Sequence, residues 1–366
     1  MKRQLFALTI LSFATFTYAE NNHQLCRFYP HWNCNIPSEL VVVQQIETFI
    51  NKHSVNGKGK GIVAFDWDGT LYNEHIPNPD QFSDTRSGQS LWHIWGANHL
   101  KQYPYLFPAF KADSIKQQSI EIKMHDKYLE GKMFQPVDPN KIDPLTPSGY
   151  DKFSQIATFE NGMTLRQMQV GMRGYLQDIS PKENAFTKIL DIAQRMQDKG
   201  FVVWVISGSN PYFLANAING SNGVNKIFGY HLFLGCDDVA GDPKFFNLRC
   251  NLAGNGAKVV RINNVYSFSG IYDDRFVKNA IPSEDRLIID KYGKQLFLQQ
   301  LAQKLQLPVI FYAGNSDGDT YAMNYTLNNS TDSMGLFVQP TQSTTFLQIL
   351  KSPICNDRCV DVENPR

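Results

Sequence analysis

Three segments of the chain run apolar without interruption and then turn polar at once. The first is "IVAF", Ile62 to Phe65, followed by Asp66. The second is "FVVWVIS", Phe201 to Ser207, followed by Gly208, and the third is "PVIFYAGNSDGD", Pro308 to Asp319. Continuous β-branched and aromatic runs predict strands buried on both faces, as in a parallel sheet. Apolar residues at helical spacing precede the second and third strands, over Ala185–Gly200 and Lys294–Gln306, the first of these closed by a glycine. Strand, helix, strand in this order predicts right-handed crossovers and an α/β, doubly wound parallel sheet. In such a sheet the chemistry gathers at the carboxyl ends of the strands, so the three polar clusters are expected in one site.

The distance between clusters adds a second body. More than a hundred residues separate Asp68 from Ser207, too many for one crossover. Residues 72–187 are therefore expected to form an inserted, mainly helical cap, with 20–71 and 188–366 as the α/β core. Between Ser207 and Lys294 the texture changes to short strands and turns.

The first cluster raises a question of charge. Asp66 and Asp68 stand two positions apart, and side chains at i and i+2 of an extended segment share a face. Like charges so placed repel, so a basic side chain or a metal ion is expected beside them. A hard cation such as Mg²⁺ takes carboxylate and carbonyl oxygens, and with a lysine it would neutralise a transferring phosphoryl group.

These residues resemble the haloacid dehalogenase superfamily of aspartate-nucleophile phosphatases. Its D-x-D-G-T motif stands here as Asp66-Trp67-Asp68-Gly69-Thr70, its strand-end serine as Ser207 in "WVISGS", its helix-start lysine as Lys294, and its acidic loop as "GNSDGDTYAM". The likeness runs from about Gly61 to Pro340, and residues 72–187 stand where that superfamily carries its cap. Within it, the chain most resembles phosphoserine-phosphatase-like and exported phosphorylcholine-phosphatase-like members.

The resemblance implies roles. Asp66 attacks phosphorus and forms an aspartyl-phosphate. Asp68 protonates the leaving alcohol, then activates water, while its backbone carbonyl binds Mg²⁺. Ser207, Gly208 and Lys294 hold phosphate oxygens. Lys291 and Lys258 compete for the lysine role, and Lys294 is favoured because a helix start reaches the sheet edge. The implied Mg²⁺ set is Asp66, Asp68, Asn315 and Asp319. Asn315 stands where the family usually has an acid, which predicts weaker metal binding, and Asp317 is a further candidate. The resulting expectation is a Mg²⁺-dependent phosphomonoesterase for a small phosphorylated metabolite, with phosphocholine and phosphoserine as candidates. A binding or effector protein that kept the fold and lost the chemistry is the alternative.

Substrate choice would fall to the cap. Its stretch "LWHIWGANHLKQYPYLFPAF" carries Trp92, Trp95 and Tyr103. These rings read either as cap core at near-helical spacing or as a cage for a quaternary ammonium.

Composition and charge sharpen the setting. Hydrophobic residues make up 42% and charged residues 19%, a globular balance. A net charge of +1 gives no basis for attraction to nucleic acid or anionic membrane. The opening "MKRQLFALTILSFATFTYAE" has a basic start, an apolar run and a small-residue end at Ala19. Residues 1–19 thus read as a secretory signal peptide, with a run too short to span a bilayer. The mature protein is expected to be exported, periplasmic or secreted, without stable membrane insertion. Six cysteines fall in three local pairs, Cys26–Cys34, Cys236–Cys250 and Cys355–Cys359, read as disulfides of an oxidising compartment. A zinc site is disfavoured because no pair has C-x-x-C spacing.

Overall fold

The computed structural model describes residues 24–73, 88–108, 160, 162–179, 184–209, 213–214, 252–253, 259–262, 265–268, 289–340 and 344–366. The expected leader over 1–19 and the Cys236–Cys250 pair lie outside these residues. Helix α1 (Pro37–Lys52) leads into a short antiparallel pair, β1 (Ser54–Val55) and β2 (Lys58–Gly59), and then into β3 (Ile62–Phe65). Helices α2 (Gly88–Asn98) and α3 (Leu165–Asp178) follow, then α4 (Thr187–Asp198), β4 (Val202–Ile206) and β5 (Leu252–Ala253). An antiparallel hairpin of β6 (Val259–Ile262) and β7 (Val265–Phe268) precedes α5 (Tyr292–Leu305). The chain closes with β8 (Val309–Gly314), α6 (Thr320–Asn329), β9 (Met334–Val338), α7 (Thr344–Leu350) and β10 (Cys359–Val362).

Six of these strands form one sheet in the order β10–β9–β8–β3–β4–β5, with every neighbouring pair parallel. The chain fills one half of the sheet outward from β3 through β4 to β5, then returns to β8 and fills the other half. That is a doubly wound α/β sheet, and the strand order reverses between β3 and β8. Strands β5, β9 and β10 are additions to the three-strand core expected from sequence.

Alternation along the strands divides two cores. Val63, Phe65, Val203, Val205, Phe311 and Ala313 pack on one face with Val43, Ile46, Phe49 and Ile50 of α1 and Ile189, Leu190 and Ile192 of α4. Ile62, Ala64, Trp204, Ile206 and Tyr312 face the other way, against Phe297, Leu298 and Leu301 of α5, Met323 of α6 and Phe346 of α7. Strands β3, β8 and β9 are buried at every position, which is why they read as continuous apolar runs.

Around α4, both ends of the described chain are tied down. Cys26 is bonded to Cys34, and within the loop they close Trp32 Nε1 donates to the Lys188 carbonyl at 3.0 Å. Lys188 Nζ reaches Glu39 at 2.9 Å and the Asn364 carbonyl at 3.0 Å. Glu47 accepts from Tyr29 at 2.8 Å and pairs with Arg195. Cys355 is bonded to Cys359 at the start of β10. No helix among the described residues is long and apolar enough to cross a membrane.

Within the insert, α3 starts with a reciprocal cap. Thr164 Oγ1 accepts the Gln167 N–H at 3.0 Å, and the Gln167 side chain accepts the Thr164 N–H at 2.9 Å. Trp92 of α2 is wholly buried, stacked on Trp95 at 5.8 Å and edge-on to Phe107 at 5.4 Å and to Tyr175 at 5.9 Å. Trp95 also meets Tyr103 at 5.4 Å and donates its indole N–H to Asp178 at 2.6 Å. A Cβ at Gly174 of α3 would collide with Trp95 and Tyr103, so a bare backbone lets these rings lie against the helix. Trp92, Trp95 and Tyr103 are thus engaged with one another and with α3. Trp92 shows no open face.

Candidate active site

Strand β3 ends at Phe65, and the Asp66 N–H still donates to the Ala313 carbonyl of β8 at 2.9 Å. That bond carries the ladder one residue past the strand and fixes the Asp66 backbone at the point where strand order reverses. The chain then turns sharply. The Leu71 and Tyr72 N–H groups both donate to the Trp67 carbonyl at 3.0 Å, and Gly69, with φ of 74°, donates to the Tyr72 carbonyl at 2.7 Å. Glycine fits that left-handed position without the Cβ clash other residues meet.

Asp66 is 4% exposed and its Oδ1 accepts the Lys294 ammonium at 2.7 Å. Lys294 lies in the first turn of α5, itself 4% exposed, and its Nζ also reaches Asp319 Oδ1 at 2.7 Å. The structure therefore brings Lys294 to Asp66. Lys291 is instead the backbone residue before α5, with φ of 48° and its N–H on the Gly318 carbonyl at 3.1 Å. Lys258 lies outside the described residues.

Asp319 is fully buried and heavily engaged. Its Oδ1 accepts from Lys294 and from the Tyr312 hydroxyl, both at 2.7 Å, and its Oδ2 accepts the Asn315 and Ser316 N–H groups at 3.0 and 3.1 Å. A Cβ at Gly314 would come within 2.6 Å of the Asp319 carboxyl carbon, so glycine there admits this carboxylate against the end of β8. Asp319 thus holds Lys294 and the loop backbone together. Asp317 Oδ1 accepts the Phe346 N–H of α7 at 3.0 Å. Asn315 sits at the end of β8, 8% exposed.

Ser207 and Gly208 follow β4 directly, with Ser207 fully buried. The Ser207 Oγ accepts the Ser209 N–H at 3.0 Å, and the Ser209 hydroxyl donates to Asp68 Oδ2 at 2.9 Å. Ser209 was not foreseen, because its position is set by the turn after β4 and no spacing rule marks it. Asp68 is half-buried. Two more hydroxyls lie within reach of its charge. Tyr72 and Tyr175 are hydrogen-bonded to each other, and Tyr72 also to Asn184. Burial first, and then the negative charge of Asp68, raise the Tyr72 hydroxyl above its ordinary value. Burial, Tyr72 and Asp68 in that order raise Tyr175. Tyr175 belongs to α3, so an insert helix touches the loop that carries Asp68.

The electrostatics follow from one ammonium set between two buried carboxylates, Asp66 and Asp319. Burial, then the charge of Asp319, pushes the Asp66 carboxyl well above the usual range, with Lys294 opposing. Burial alone would lower Lys294, but Asp319 and Asp66 outweigh it and hold the ammonium well above its ordinary value. Lys294 is thus held as an ammonium between Asp66 and Asp319, each 2.7 Å away. Among the described residues no cluster of three or more His, Cys, Asp or Glu side chains is arranged around a metal position. The oxygen donors at the strand ends are of mixed kind, the Asp66 carboxylate, the Asp68 backbone carbonyl and the Asn315 amide, and all suit a hard cation.

No family model matches the chain, and no curated protein matches it. Solved structures do show likeness. One is a protein of unknown function from Bordetella pertussis Tohama I, at 10% identity and a TM-score of 0.46, covering 82% of this chain and 99% of that one. A phosphoserine phosphohydrolase-like protein from Francisella tularensis subsp. tularensis SCHU S4 gives 14% identity and 0.41, over 83% of this chain and 95% of that one. A phosphoserine phosphatase carrying a phospho-aspartyl intermediate analogue gives 13% and 0.36, over 84% and 94%. All three are distant, and the chemistry is read from this chain's own residues.

Proposed function

We propose that the protein is an exported phosphomonoesterase of the haloacid dehalogenase type, acting on a small phosphorylated metabolite through Asp66. The observation that carries this reading is the Lys294 ammonium, 2.7 Å from both Asp66 and Asp319 at the carboxyl end of the sheet, with Ser207 and Asp68 linked through Ser209 beside it. A phosphoryl group there meets a carboxylate nucleophile, a cation and a strand-end serine together.

In the first step an Asp66 oxygen bonds to phosphorus and the bond from phosphorus to the leaving oxygen breaks. Asp68, entering protonated, gives its proton to that oxygen, so the alcohol departs neutral. In the second step water attacks phosphorus, Asp68 takes a water proton, and the bond to Asp66 breaks to release phosphate. Ser207, Gly208 and Lys294 hold the phosphoryl oxygens throughout. Three acids, Asp66, Asp68 and Asp319, gathered at the strand ends with one lysine fit a divalent cation held by Asp66, the Asp68 carbonyl and Asn315, with Asp319 acting through Lys294 and the loop backbone. Bound there, Mg²⁺ would supply positive charge against the phosphoryl oxygens as the transferring group loads charge onto them.

Residues 72–187 serve as the cap in this reading, and the apolar leader and local cysteine pairs support export. The direct test is hydrolysis of p-nitrophenyl phosphate by the mature protein with Mg²⁺ and after EDTA. Turnover that needs the metal supports the reading. An inactive but folded protein points instead to a binding or effector role.

A further inference from the structure

Ser209 is 3% exposed and uses two atoms on two different functional residues. Its N–H occupies a lone pair of the Ser207 Oγ at 3.0 Å, and its own hydroxyl donates to Asp68 Oδ2 at 2.9 Å. The first contact turns the Ser207 hydroxyl so that its proton points away from Ser209, free to meet an acceptor. The second restrains rotation of the Asp68 carboxyl about its Cβ–Cγ bond. Asp68 stands in the turn after β3, while Ser209 stands in the turn after β4, the strand paired with β3, so the contact ties two neighbouring strand ends together. We propose that Ser209 is a positioning residue that orients the Asp68 carboxyl toward the leaving oxygen while setting the Ser207 hydroxyl toward the phosphoryl group.

This inference rests on the phosphatase reading, and it concerns leaving-group protonation in particular. An alkyl phosphate has a poor leaving group and depends on a well-placed acid. p-Nitrophenolate leaves without much help from a proton, so its ester depends far less on how Asp68 is aimed. The value of kcat/KM reports the step that breaks the ester bond, whichever step limits kcat.

The experiment compares kcat/KM for a simple alkyl phosphate and for p-nitrophenyl phosphate in the native protein, Ser209→Ala and Ser209→Thr. Loss of the buried hydrogen bond that aims the acid is expected to lower kcat/KM for the alkyl ester by about 10-fold. The fall for p-nitrophenyl phosphate should be several times smaller, and Ser209→Thr, which keeps the hydroxyl, should recover most of the alkyl-ester activity. Equal losses on both esters, no loss, or no recovery by threonine would overturn the proposal. If Ser209→Ala does not fold, Ser209→Cys, of similar volume and with only a weak donor, carries the same comparison. A native protein that cleaves neither ester removes the phosphatase reading itself. A native protein that cleaves both, with equal losses in the variant, removes only the role of Ser209.

Discussion

Asp66 and Lys294 form the tightest electrostatic unit in the site, each about as buried as the other, with Asp319 completing the group. Asp66→Asn keeps the shape and the contact with Lys294 but removes the nucleophile, so turnover should fall by on the order of 10³-fold or more while the thermal midpoint changes little. Lys294→Met should do more, because it leaves two carboxylates buried without their cation. Breaking such a buried pair costs about 3–5 kcal/mol, to be read as a lower denaturant midpoint. Asn315→Asp adds a charged oxygen to the proposed Mg²⁺ set and should lower the Mg²⁺ concentration for half-maximal activity. An unchanged activation curve would place the metal ligand elsewhere. At this scale Asp66, Asp68, Ser207 and Lys294 were legible because each sits at a marked place, the end of an apolar run or the start of a helix. Ser209, Tyr72 and Tyr175 were not, since what they touch depends on how a turn and an insert helix fold over the strand ends. Asp317 and Asp319 were marked by their place in the acidic loop, but their contacts were not legible, because backbone N–H groups of α7 and of the loop itself meet them only once the chain has folded.

The insert and the strand ends are where elements make or break the site. Gly314→Ala would drive a methyl group into the Asp319 carboxyl, displacing the group that holds Lys294, so both stability and turnover should drop together. In the insert, Trp92→Ala should cost about 3–5 kcal/mol, as expected for a large ring removed from a full core. Trp95→Ala should depress phosphocholine and p-nitrophenyl phosphate hydrolysis alike, because its ring packs on Trp92, Tyr103 and Tyr175. A selective rise in the Michaelis constant for phosphocholine would instead restore the aromatic-cage idea. Helix α4 and strands β3, β4 and β8 announced themselves through uninterrupted or periodic apolar runs. Strands β9 and β10 and helix α1 did not stand out, β10 because it is short and half-exposed in pattern. Its place in the sheet is fixed by pairing with β9 and by the disulfide at its first residue.

For the molecule as a whole, the sheet order explains why residues far apart in sequence share one end of the fold. β3 lies between β4 and β8, so Asp66, Ser207 and Asn315 emerge from three adjacent strands, and α5 delivers Lys294 across them. The two described disulfides close loops with sequence separations of 8 and 4. Loops this short give modest stabilisation, about 2 kcal/mol each on the chain-entropy account, so reduction should shift the denaturant midpoint without abolishing the fold. The central claim is that a phosphoryl group passes through Asp66, and mass spectrometry of the protein quenched in acid during turnover tests it most directly. A phosphoryl group on the peptide containing Asp66, labile to hydroxylamine and absent from Asp66→Asn, is the predicted result. Continued turnover in which no phosphorylated Asp66 peptide forms, or in which Asp66→Asn works as well as the native protein, would contradict it.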